Sequence, residues 1–203
     1  MIRKHSKDIC PLGPHLQRYW DRLTEREREM LLDEEGLFSL ALESVALHIA
    51  EKTPGDLITD AFCGAGGSAI GFARMGKRVV AIDNNALKLD MARHNAKLFD
   101  VEDNIEFIHG DCRDILPTLT VDTVFLDPPW GGTDYNKADK FYLSDFEPDG
   151  RLLLDLSFSL TPSVVLRLPK NFAIDELGRL GRTYETERNT FNGRLLHYCV
   201  YFS

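Results

Sequence analysis

Leu57-Ile58-Thr59-Asp60-Ala61-Phe62-Cys63-Gly64-Ala65-Gly66-Gly67 opens the regular part of the chain. An apolar run closed by glycines reads as a buried strand that turns directly into a helix, here running to Met75 and ended by Gly76. The alternation then repeats. Arg78 to Ile82 is a second strand, Leu87 to Phe99 a helix, and Asn104 to Ile108 a third strand with a helical turn near Cys112–Leu116. Thr123 to Leu126 is a fourth strand, Leu152 to Leu160 a helix, Ser163 to Leu168 a strand and Ile174 to Leu180 a helix. Thr183 to Phe191 and Leu195 to Phe202 close the chain as a hairpin about Asn192-Gly193. Strand–helix alternation ended by an antiparallel pair predicts an α/β fold with a doubly wound, mostly parallel, seven-stranded sheet.

Toward the N-terminus the turn Thr53-Pro54-Gly55-Asp56 separates this unit from a different pattern. Residues 1–14 form a polar lead. His15 to Leu32 reads as a helix with Leu16, Tyr19, Trp20 and Leu23 inward and a solvated, charged continuation from Glu25 to Glu29. Gly36-Leu37-Phe38 breaks it, and Ser39 caps a second helix to about Lys52. The expected division is a helical extension over 1–52 and an α/β domain over 53–203.

Composition narrows the function. The 203 residues suffice for one domain with an extension, and 43% hydrophobic with 28% charged residues is ordinary for a soluble globular protein. No stretch approaches the roughly 18 apolar residues of a membrane span. Met1 to Lys7 carry no apolar segment of the secretory kind. Cys10, Cys63, Cys112 and Cys199 lie far apart without CxxC spacing, so they read as reduced intracellular thiols and not as a zinc site. A net charge of −8 argues against tracking a long nucleic-acid backbone and favours a small anionic target.

The chemistry concentrates at the predicted strand ends. Asp127-Pro128-Pro129-Trp130-Gly131-Gly132 follows the fourth strand, at the edge where open α/β sheets bind ligands. Consecutive prolines fix φ and withhold two backbone donors, leaving carbonyls to accept from a ligand. An acid, a proline carbonyl and an aromatic face suit a planar ring that carries an exocyclic amine. The lone pair of such an amine is delocalised and weakly nucleophilic. The Asp127 side chain and the Pro128 carbonyl can hold its hydrogens and aim the pair, with rate coming from alignment and electrostatics. Asp60 can meet an ammonium group, Asp83 can chelate two ribose hydroxyls, and Asp111 can accept from an adenine amine. Glycines after the first strand allow close backbone approach. A nicotinamide GxGxxG motif fits poorly, since counting from Gly64 its sixth position is Ala69.

These ordered acids resemble those of class I S-adenosylmethionine-dependent methyltransferases. The longer set narrows the resemblance: Ala61-Phe62-Cys63-Gly64-x-Gly66-Gly67, Val80-Ala81-Ile82-Asp83, Ile105-Glu106-Phe107-Ile108-x-Gly110-Asp111, the Pro128-Pro129-Trp130-Gly131-Gly132-x-Asp134-Tyr135 run and Leu168-Pro169-x-Asn171 are together similar to the trimethylguanosine synthase family. Members of that family methylate the N2 amine of the 7-methylguanosine cap on small nuclear and nucleolar RNAs. The resemblance therefore implies a Rossmann-like fold, S-adenosyl-L-methionine as cofactor, no metal, and capped RNA (snRNA, snoRNA) as partner. It further implies a 2,7-dimethyl or 2,2,7-trimethylguanosine product, and a place in the nucleus and/or cytoplasm.

Residue by residue, it implies Asp60, Phe62, Gly64, Ala65 and Gly66 at the cofactor after the first strand. Asp83 and Asn84 follow after the second, Asp111 and Cys112 after the third, Asp127 after the fourth, and Glu35 near the methionine end. Asp127, Pro128 and Trp130 would form the catalytic motif, with Trp130 stacked on the cationic base. Tyr135, Lys170, Asn171, Arg194 and Arg18 would hold the cap's phosphates. Animal members carry Ser at position 127, so Asp127→Ser is expected to be milder than Asp127→Ala. The family's Ser-Val-Thr-Pro-Glu reads Ser39-Leu40-Ala41-Leu42-Glu43 here, and the aromatic before Phe38 is Leu37. His48 and His197 read as structural, and His94 and His109 match no chemical motif. The competing readings are a methyltransferase for an internal base amine of RNA or DNA, and a cap-binding module with a dead centre.

Overall fold

The seven strands among the described residues form one sheet in the order β3-β2-β1-β4-β5-β7-β6. They are β1 (Leu57–Asp60), β2 (Arg78–Asp83), β3 (Ile105–His109), β4 (Thr123–Leu126), β5 (Val164–Pro169), β6 (Tyr184–Phe191) and β7 (Arg194–Phe202). The computed structural model describes residues 14–131 and 138–203. β1 to β5 run parallel, while β7 is antiparallel to both β5 and β6. The α/β fold follows, with each expected strand within a few residues of its place. The chain winds outward from β1 through β2 to β3 and then returns to place β4 on the other side of β1. That reversal opens a crevice at the carboxyl ends of β1 and β4.

Among the described residues there are seven α-helices: α1 (Pro14–Trp20), α2 (Glu34–Ser39), α3 (Glu43–Lys52), α4 (Gly67–Arg74), α5 (Ala86–Leu98), α6 (Cys112–Ile115) and α7 (Gly150–Leu160). Alternation along the central strands sorts their side chains into two cores. Phe125 and Val165 pack with Ile49 of α3, Phe72 of α4 and Ala92 of α5. Val124, Leu126, Val164 and Leu166 pack with Leu153 and Leu154 of α7. Phe72 and Phe125 meet edge to face at 5.3 Å. Among the described residues no helix is long and apolar enough to cross a membrane.

The N-terminal helices depart from the sequence reading. The helix expected over His15 to Leu32 stops at Trp20, and only a 3-10 turn, Glu27–Glu29, follows. The reason is Glu27. It is not a solvated charge but 2% exposed, accepting from the amides of Thr24 (2.7 Å) and Glu43 (2.7 Å). The second of these caps α3 from sixteen residues away, which leaves Ser39 to end α2 instead of capping the next helix. Gly36 lies inside α2, whose cap is Asp33 accepting from the Gly36 amide at 2.7 Å. Leu16, Leu23, Met30, Leu32 and Leu37 all join the same core as α3 and α4.

Candidate functional site

A cleft of about 1100 Å³ lies along the carboxyl ends of the strands, walled by α2 and the residues before it. β1 ends beneath the floor, and the glycine loop that follows it lines the cleft from Ala61. Gly64 has φ +52°, and a Cβ built there meets nothing within 4 Å, so the loop presents open backbone to the cleft. Gly67 is required for the opposite reason, since a Cβ there would lie 2.8 Å from Leu40 and 3.1 Å from the Ala41 carbonyl. Asn95 ties the loop down, donating to the carbonyls of Ala65 (2.9 Å) and Leu31 (3.0 Å).

The acids differ in how they are held. Asp83 accepts from the Gly64 amide at 2.9 Å and the Asn85 amide at 2.8 Å, which fixes both oxygens at the rim of the glycine loop. Burial raises its carboxyl above the usual range against those amides. Asp111 caps α6 through the Arg113 amide (2.9 Å) and pairs with the Arg113 guanidinium (2.5 Å), which holds it below the ordinary aspartate value. An amine arriving at Asp111 must therefore share it with Arg113. Asp60 is 1% exposed and lies beneath the cleft floor, not on its surface. Its Oδ1 accepts from the Phe62 amide at 3.3 Å, while Oδ2 closes no hydrogen bond; the Ala69 amide only moderates its charge. Burial and then the neighbouring Asp127 push this carboxyl up to about 8.

Asp127 follows β4, directly across the crevice. Its Oδ2 accepts from Arg167 Nη1 at 2.6 Å, and the Arg167 guanidinium carbon lies 5.3 Å from the centroid of the Trp130 ring. Pro128 is buried, Pro129 exposed and Trp130 half-buried. Burial raises the Asp127 carboxyl and Arg167 opposes the rise.

The cleft gathers most of the residues named from sequence. Glu35, Phe62, Gly64, Ala65, Asp83, Asn84, Asp111 and Cys112 line one end. Asp127, Pro128, Trp130, Lys170 and Asn171 also line the cleft, as does Arg18, which packs on Tyr19 beside α2. Gly66 and Arg194 are not among the lining residues, and Arg194 sits at the β6–β7 turn. Tyr135 lies outside the described residues. Asn171 has a structural task beside any other: its Nδ2 donates to the Ala138 carbonyl at 3.0 Å. Glu35 is drawn to Lys88 of α5 (3.1 Å), which also holds Asp33 (2.8 Å) and so fastens α2 beside the glycine loop.

Sequence reasoning missed Lys88, Arg113, Arg167 and Arg22, all of which line the cleft. Arg113 alone had a local signal, two residues after an acid at a helix cap. His197, read as structural, is buried yet forms part of the cleft wall, its Nε2 without a hydrogen-bond partner.

The residues fit S-adenosylmethionine: open glycine backbone beside a rim carboxylate suits a ribose, and a buried, underpaired Asp60 suits a cationic ligand overhead. The comparisons agree. A family model described as RNA cap guanine-N2 methyltransferase matches residues 55–203. The chain is similar to the trimethylguanosine synthase of Schizosaccharomyces pombe, 30% identical over 96% of this chain and 89% of that protein. It is also similar to the trimethylguanosine synthase of Saccharomyces cerevisiae, 29% identical over 82% of this chain and 58% of that protein. In fold alone it resembles a Porphyromonas gingivalis W83 protein assigned as a methyltransferase, with a TM-score of 0.74 at 18% identity over 93% of this chain and 47% of that one. With the sheet order, the crevice and a family match that spans every strand, the chain belongs to the S-adenosylmethionine-dependent RNA cap guanine-N2 methyltransferases.

Proposed function

We propose that the protein methylates the exocyclic N2 amine of the 7-methylguanosine cap of RNA, giving the 2,7-dimethyl product or, with a second transfer, the 2,2,7-trimethyl product. The observation that carries this reading is the placement of Asp127-Pro128-Pro129-Trp130 at the crevice, with Asp127 and a half-buried indole on one cleft wall. Held by Asp83, Asn84, Asp111 and Glu35, S-adenosylmethionine would supply an electrophilic methyl whose sulfur leaves as a neutral thioether, while Asp127 would hold the amine hydrogens and receive the proton that the methylated amine sheds.

This chain's residues bind and orient. Asp83 and Asn84 hold the ribose end, Asp111 and Cys112 the base, and Glu35 flanks the methionine end. Asp60, one layer down, holds the Phe62 amide and becomes an anionic partner when a cation overhead draws off the proton that burial keeps on it. Asp127 accepts from the amine, Trp130 stacks on the cationic base, and Lys170 and Arg18 meet the phosphates. The substrates in this reading are capped small nuclear and nucleolar RNAs. The acidic chain supports a cap over an internal base, which would call for a wider basic surface.

Mass-resolved products after incubation with S-adenosylmethionine and 7-methyl-GDP or GDP test it. Mass gain on 7-methyl-GDP alone is the expected result. Gain on GDP alone, or on neither while an internal guanine of RNA is methylated, moves the reading to an internal-base enzyme.

A further inference from the structure

We infer that Arg167 is a positioning residue of the transfer site, anchoring one oxygen of Asp127 so that the other meets the substrate amine. The inference rests on the reading of Asp127 as acceptor for that amine.

Arg167 stands where β5 calls for an apolar side chain. Leu126 pairs with Leu166 in the β4–β5 ladder, so the next residues, Asp127 and Arg167, stand side by side. Alternation sends both to the face that holds Phe125 and Val165. Arg167 is only 7% exposed, and a buried guanidinium is tolerated when it is paired. Its Nη1 is 2.6 Å from Asp127 Oδ2, and its carbon is 5.3 Å from the Trp130 ring. One cation thus touches both the acid and the aromatic of the motif. Oδ2 is the committed oxygen, and Asp127 lines the cleft, which leaves Oδ1 for a ligand.

The groups around the pair are kept neutral or engaged. From β7, burial and then Arg167 hold the His197 imidazole well below its ordinary value, and burial pushes the Cys199 thiol up to about 12. Glu187 of β6, opposite Cys199, is taken by His48 and Lys52. From β1, Asp60 faces Asp127 and is itself pushed up to about 8. Arg167 is therefore the group that opposes the effect of burial on Asp127. Without it the carboxyl protonates at higher pH, and an acid hydrogen replaces a lone pair that should receive the amine N–H. Activity would then fail as pH drops through a higher value than in the wild type.

Steady-state methylation of 7-methyl-GTP across about pH 5 to 9 tests this, with GTP and ATP as parallel amine acceptors. Arg167→Met is expected to lower kcat about 10²-fold near neutrality and to raise the acid limb of kcat by about one pH unit or more, with calorimetric S-adenosylmethionine affinity unchanged. Asp127→Ser/Arg167→Met should exceed Asp127→Ser alone by about tenfold, because the double variant leaves no unpaired cation. An unmoved acid limb, or no rescue, overturns the inference. Should Arg167→Met not fold, Arg167→Lys carries the test: it keeps charge but loses the planar fork, so kcat should fall about tenfold, and an unchanged kcat overturns positioning. If the wild type methylates none of the three nucleotides, the substrate reading has failed instead. Carbon-13 NMR titration of Asp127 then decides for Arg167, upheld by a higher value in Arg167→Met than in wild type and overturned by equal values.

Discussion

At the ends of β2 and β3 the acids are held largely by main chain, Asp83 by the amides of Gly64 and Asn85 and Asp111 by the amide and guanidinium of Arg113. Asp127, at the end of β4, is held by a side chain forty residues away. Backbone amides are fixed dipoles that only a change to proline deletes, whereas a guanidinium is removed by any substitution to a residue without one. At the end proposed for the cofactor the strand-end acids thus rest mainly on main chain, and at the end proposed for the substrate Asp127 rests on a side chain from a separate strand. Substitutions should be felt as lost affinity at the first end and as lost turnover or selectivity at the second.

The widest test of that contrast is Asp127→Ala, expected to lower kcat roughly 10²-fold or more, about 3 kcal/mol, while S-adenosylmethionine affinity by calorimetry stays near wild type. The resemblance to animal members suggested that Asp127→Ser would be milder. Arg167 changes that expectation, because serine leaves a buried guanidinium without its counter-ion. Asp127→Ser alone should fall as far as Asp127→Ala. If it retains most of the activity, the pair is not a unit and the contrast fails. At the other end, Asp83→Ala should weaken S-adenosylmethionine binding by about 2–3 kcal/mol, read by calorimetry, since a carboxylate partner to two hydroxyls is removed. Unchanged affinity would detach Asp83 from the cofactor.

Trp130→Ala should weaken 7-methyl-GTP by about 1–2 kcal/mol and remove its advantage over GTP, with Trp130→Phe keeping part of both. Normal discrimination in Trp130→Ala would break the cap reading.

Asp60 offers a test through pH. Its carboxyl is raised to about 8 when folded, so the folded state binds a proton that the unfolded chain has lost above about pH 4. The stability it contributes is full below the unfolded value and is lost as pH rises toward 8. Asp60→Asn should remove that slope, so that without cofactor its Tm at pH 8 exceeds wild type by about 2–4 °C for each kcal/mol involved. A parallel pH–Tm curve for the two proteins would mean that the buried acid has another partner.

What was legible follows the same division. β4 and β5 announce themselves as apolar runs, and Asp60, Asp83, Asp111 and Asp127 stand at strand ends, so the sheet and the four acids could be placed from the chain alone. Arg167 could not, because Val164-Val165-Leu166-Arg167-Leu168 reads as a strand with one stray cation and its partner is fixed only by the β4–β5 register. Glu27 failed for a related reason. Within Glu25 to Glu29 nothing distinguishes the one acid that turns inward to cap α3. Arg194 and Lys170 both matched the family by position, but position in sequence does not say which of them reaches the cleft.

That last difference gives the smallest and most discriminating effect. Lys170, in the turn after β5, lines the cleft, and Arg194 opens β7 outside its lining. Both are exposed, so each phosphate contact is worth at most about 1 kcal/mol and is screened by salt. Lys170→Ala should raise KM for 7-methyl-GTP about two- to fivefold, leave the bare 7-methylguanosine nucleoside unaffected, and flatten the salt dependence. Arg194→Ala should leave both small substrates alone and weaken only a capped oligonucleotide, whose chain extends past the cleft. Equal losses on nucleotide and nucleoside would mean that Lys170 acts through the β5 turn. A loss on 7-methyl-GTP in Arg194→Ala would mean that the β6–β7 turn folds over the cap when it binds.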